Sequence, residues 1–140
     1  MIITTIDYSS ETFLKLLSAL KELVGPKQSL FLYRGNEDSK TVEYTIISDW
    51  VIDYDRYLYK RSTEEIRAPL VELKFKVKLE EEKSFSEKIK PLLKWALMKR
   101  DERFVSRLFL FRMKNFNKKN NLTITVQNSK IGIIKQEKTV

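Results

Sequence analysis

Apolar and polar positions change period several times along the chain, and each change marks an element. Ile2, Thr4, Ile6 and Tyr8 alternate with Ile3, Thr5 and Asp7, the period of a strand. Ser9-Ser10-Glu11 then offers an N-cap and a first-turn carboxylate, and Phe13, Leu16, Leu17, Leu20, Leu23 and Val24 recur at helical spacing until Gly25-Pro26 stops the run. A helix this short is marginal in water unless one face is buried, so its apolar stripe is core. Residues 29–34, 41–48 and 50–59 read as strands rich in β-branched and aromatic side chains, with a polar turn at 35–39 and a bend or bulge at Ser48-Asp49. Residues 60–69 are a charged connection with room for one helical turn. In residues 70–79, Val71, Leu73, Phe75, Val77 and Leu79 share one face and Glu72, Lys74, Lys76 and Lys78 the other, the pattern of a strand solvated on one side.

Ser84-x-x-Glu87 has the form of a capping box, and Phe85, Ile89, Leu92, Leu93 and Ala96 follow at helical period. Pro91 interrupts that run: either the helix kinks there, or a short turn precedes a main helix starting near it. Residues 104–113 are apolar on both sides, which suits a strand buried on both faces or an interface. Residues 115–121 read as a basic loop, 122–126 as an alternating strand, Asn128-Ser129 as a turn and 131–134 as a last strand. Together these patterns predict a single α+β domain over residues 1–140, with two amphipathic helices packed on a mainly antiparallel sheet of about seven to eight strands.

Composition narrows the function more than the fold. The 140 residues suffice for one self-supporting core. Apolar runs are far shorter than the roughly 20 residues that cross a bilayer, and residues 1–5 lack the basic start of a signal peptide, so the expected setting is cytoplasmic, away from membranes. The chain has no cysteine and no histidine. Disulfide frameworks, thiolate nucleophiles, imidazole-based triads and Cys/His zinc sites are therefore excluded, and no cofactor is implied.

The net charge of +8 is unevenly spread. Residues 1–82 hold 12 basic and 15 acidic side chains, whereas residues 83–140 hold 15 basic and 4 acidic. A basic half of this kind favours a polyanionic partner, because Lys and Arg on phosphates release counterions. The candidate phosphate contacts are Lys88, Lys90, Lys94, Lys99, Arg100 and Arg103 on the second helix and beyond it, and Lys114, Lys118 and Lys119 toward the basic loop. Trp95, Phe104, Phe116 and Tyr57 are candidates for stacking on bases, although aromatic residues in such numbers also build cores. The expected function is non-enzymatic association with nucleic acid, DNA in the first instance, with self-association through the doubly apolar segment.

Two other classes fit part of the sequence. A protein-binding adaptor or inhibitor, of the kind encoded by viruses or plasmids, would turn the basic face to an acidic protein. A metal-dependent nuclease would use Asp49, Asp53 and Asp55 with Glu72-x-Lys74, a short pattern that resembles restriction-like nucleases, where such carboxylates hold a divalent ion. Glycines at 25, 35 and 132 are too scattered for a phosphate-binding loop. The element order, the helix-forming stretch at residues 13–23 and the strand-forming stretch at 121–127 also resemble one domain of DNA sliding clamps. That resemblance implies a ring-forming oligomer around DNA; topology alone does not establish the activity.

Overall fold

The alternation at residues 71–77 becomes an interior strand of a sheet. Val71, Leu73, Phe75 and Val77 are fully buried while Lys76 and Lys78 are exposed. The computed structural model describes residues 2–6, 10–24, 28–48, 66–97 and 105–136. Five strands, β1 (Ile2–Ile6), β2 (Ser29–Gly35), β3 (Thr41–Ser48), β4 (Ile66–Lys78) and β5 (Thr125–Gln136), lie side by side in chain order. β1 runs parallel to β2, across the helix α1 (Glu11–Leu23) that joins them, and the other neighbours are antiparallel. After β4 comes a 3-10 turn (Leu79–Glu81), then α2 (Glu82–Lys88), α3 (Lys90–Leu97) and α4 (Val105–Asn120).

One face of the sheet carries the core. Leu30 and Leu32 of β2, Val42, Tyr44 and Ile46 of β3 and the four buried residues of β4 are at most 1% exposed. Phe13, Leu16, Leu17 and Leu20 of α1 pack into the same cluster. Aromatic rings tie the helices to it: Phe85 of α2 lies 5.2 Å from Tyr44 and 5.4 Å from Phe75, and Phe109 of α4 lies 6.2 Å from Phe75. Ser10 caps α1, its hydroxyl accepting from the Phe13 N–H at 3.3 Å. Asp38 shapes the β2–β3 turn by accepting the N–H groups of Lys40 and Thr41, both at 2.7 Å, and those bonds hold its carboxyl below the usual range.

The α+β class is as expected, but the sheet of about seven to eight strands is not: the described residues form five strands and four helices. Residues 105–113 are helical, not a doubly apolar strand, and residues 115–120 complete that helix instead of forming a basic loop. Val105, Phe109 and Met113 are the buried stripe, at spacings of four; Leu108, Leu110 and Phe111 fill in the other faces with apolar side chains that are exposed, which disguises the helical period. Of the expected strands at 122–126 and 131–134, residues 125–126 and 131–134 belong to one strand, β5, which Asn128-Ser129 continues without a turn, while residues 122–124 precede it outside any strand. β5 pairs with β4 through a bulge that leaves Gln127 as the extra residue. Ser84 lies inside α2 and caps nothing, because the helix starts two residues earlier. Around Pro91 the run is divided into two helices: α2 ends at Lys88, Ile89 follows with helical dihedrals and donates its N–H to the Phe85 carbonyl at 3.0 Å, and α3 begins at Lys90 with the proline in its first turn, where a missing N–H costs least. The strand expected at residues 50–59 lies outside the described residues.

Candidate functional site

α2, α3 and α4 carry nine basic and two acidic side chains. Both carboxylates are committed. Glu82 is 7% exposed at its side chain and receives Arg34 Nε at 2.8 Å and Nη2 at 3.1 Å. Burial alone would lower the Arg34 guanidinium, but the hydrogen bond and charge of Glu82 hold it above its ordinary value. Glu87 accepts Lys15 Nζ of α1 at 3.0 Å, which lowers its carboxyl and raises the lysine. The surface is therefore more positive than a charge count suggests.

α4 is the extreme case. It bears Arg107, Arg112, Lys114, Lys118 and Lys119 and no carboxylate. Lys114, Lys118 and Lys119 are exposed and, among the described residues, no carboxylate pairs with them. Lys118 and Lys119 also oppose the negative end of the helix dipole, which stabilises the helix by a few tenths of a kcal/mol, roughly. Lys114 has no such role, lying outside the last turn.

Two helical stripes face each other across a groove of about 560 Å³. Lys88, Leu92 and Trp95 recur at intervals of four and three on α2 and α3; Arg112, Phe116 and Lys119 do the same on α4. The Arg112 guanidinium carbon sits 4.5 Å from the centre of the Trp95 ring. Phe109 lies nearly parallel to that ring, at 6.5 Å between centroids and 22°, so Trp95 is held from the core side of α4. Trp95 and Phe116 are both half-buried. A second depression of about 480 Å³, lined by Ser39, Lys40, Thr41, Lys78, Leu79 and Glu80, has no aromatic wall among the described residues.

Of the predicted phosphate contacts, Lys88 and Lys94 are exposed near the ends of α2 and α3, and Lys114, Lys118 and Lys119 lie along α4. Lys90 is half-buried and paired with Glu22 of α1. Lys99, Arg100 and Arg103 lie outside the described residues, as do Phe104 and Tyr57. Arg112 was not among the expected contacts, although reading residues 105–120 as a helix puts it on one face with Phe116 and Lys119. Of the carboxylate pattern, Asp49, Asp53 and Asp55 lie outside the described residues, and Glu72 accepts a hydrogen bond from Asn128 Nδ2 at 3.2 Å. Among the described residues no group of three or more potential metal ligands occurs. No helix of the described residues is long and apolar enough to cross a membrane. Compared with family models, with curated proteins and with solved structures, the chain matches none.

Proposed function

We propose that the protein is a non-enzymatic nucleic-acid-binding domain that meets phosphates with the surface formed by α2, α3 and α4. The observation carrying this reading is α4: five cations, no carboxylate, and no ion pair on Lys114, Lys118 or Lys119 among the described residues. Such a helix is costly to leave unscreened and well suited to displacing counterions from a phosphate backbone. The test is a titration with single- and double-stranded DNA and RNA at about 50 and 200 mM salt. A surface that neutralises about four phosphates loses roughly 100-fold in affinity across that range. Lys114→Glu with Lys118→Glu is expected to weaken binding at least about 10-fold at the lower salt with the fold intact. No binding at low salt, or binding indifferent to salt, would overturn the reading.

A second reading is favoured by Leu108, Leu110 and Phe111, which are 40%, 47% and 63% exposed among these cations. An acidic protein with an apolar patch would cover them and satisfy the charge at once. The protein would then be an adaptor, and the same double substitution would leave nucleic-acid affinity unchanged. Molar mass in solution tests whether copies of the chain assemble through this face, in a clamp-like form or otherwise.

A further inference from the structure

We propose that the groove between α2–α3 and α4 is a subsite for one nucleotide of a single strand, its base lying against Arg112, Trp95 and Phe116 and its flanking phosphates meeting Lys88 and Lys119. The inference rests on the nucleic-acid reading above and narrows it. A duplex offers a protein its phosphates and groove edges, with the base faces already stacked on one another. A single strand can splay a base out, and proteins receive it on aromatic rings and guanidinium planes.

The groove has the parts such a base needs. Its volume of about 560 Å³ falls in the range of small-ligand pockets, and its walls combine a half-buried tryptophan, a half-buried phenylalanine and a guanidinium resting on the tryptophan. Phe109 backs the Trp95 ring, so the platform is braced before a ligand arrives. Charge complementarity selects the occupant: among the described residues three cations line the groove, and the one carboxylate, Glu87, is paired with Lys15. A neutral apolar ligand would leave Lys88 and Lys119 unused. A second copy of the chain would bring cations against cations.

Two tryptophans are present, so Trp50→Phe makes Trp95 the sole tryptophan reporter. Oligothymidylate and oligouridylate of about 12 nucleotides, a duplex of the same length and polyglutamate are titrated against this protein at about 50 mM salt. Single strands are expected to quench Trp95 emission and to bind at least about 10-fold more tightly than the duplex. Arg112→Lys keeps the charge and removes the planar guanidinium; it is expected to weaken single-strand binding about 10-fold and leave duplex binding within about twofold. That comparison is made by affinity alone in the wild-type background, so it stands even if Trp50→Phe impairs folding. Equal binding of duplex and single strand, with Arg112→Lys silent while Lys114→Glu with Lys118→Glu still weakens both, would overturn the groove subsite and leave the broader reading standing. Quenching by polyglutamate equal to that by oligonucleotides would also overturn the subsite. Absence of binding to every nucleic acid would overturn both.

Discussion

Tyr44 meets several constraints at once. Its ring packs on Phe85, its hydroxyl lies 3.2 Å from the Thr12 hydroxyl, and Arg34 stands beside it in the pair with Glu82. Burial pushes the phenol up to about 12, with the Glu82 charge adding to the rise and the bonds to Thr12 and Arg34 opposing it. The sign follows from proton uptake: above pH 10 the folded state keeps a proton that the unfolded state releases, so stability falls as pH rises through the folded value of about 12. Tyr44→Phe keeps the ring and deletes the titration. Urea midpoints between pH 9 and 11.5, roughly, are expected to fall less steeply in the variant than in the wild type; parallel slopes would contradict the placement of this phenol. None of this was legible in the strand pattern, which gave residues 41–48 only as a strand rich in β-branched and aromatic side chains. Its hydroxyl meets Thr12 of α1 and Arg34 of β2, 32 and 10 positions away in sequence, and its ring meets Phe85 of α2.

The C-terminal end of α4 shows how an element can be misread. Asn115, Asn117, Asn120 and Asn121 lower helix propensity and suggest a loop, yet three of them terminate a helix. Asn121 takes the left-handed conformation at φ 53°, and the Leu122 N–H returns to the Asn117 carbonyl at 2.9 Å, the closing bond of a Schellman cap. The Asn117 side chain then holds the chain leaving the helix, donating to the Ile124 carbonyl at 2.9 Å and accepting its N–H at 3.2 Å. Asn120 Nδ2 donates to the Phe116 carbonyl at 2.9 Å. Asn121→Gly is expected to be neutral or slightly stabilising, because glycine adopts positive φ without strain. Asn121→Ala should cost about 1 kcal/mol, read as a lower denaturant midpoint at unchanged slope; equal stability of the two variants would deny the cap its role.

Across the whole molecule, the aromatic series Tyr44, Phe85, Phe75, Phe109 and Trp95 runs from the sheet through the helices to the groove. Phe85 touches both Tyr44 and Phe75 and is fully buried, so it couples the helical layer to β3 and β4. Phe85→Ala is expected to destabilise by about 3–5 kcal/mol. Far-UV circular dichroism and tryptophan fluorescence should still unfold together, since one core serves both layers; separate transitions would mean the layers are independent. By itself the sequence determined the alternating strands at residues 2–6 and 70–78, the first helix with its cap, the absence of thiol and imidazole chemistry, and the concentration of charge in the second half. Those features depend on neighbours within a few residues or on composition. Tertiary structure decided that residues 105–120 form a helix, because only its packing under Phe75 separates the buried Val105, Phe109 and Met113 from the exposed Leu108, Leu110 and Phe111. It also decided which charges are paired: long-range pairs take up Glu82, Glu87 and Lys90, while the facing of α3 and α4 brings Arg112 onto Trp95. Charge is written in the sequence, but whether it is neutralised depends on residues tens of positions away.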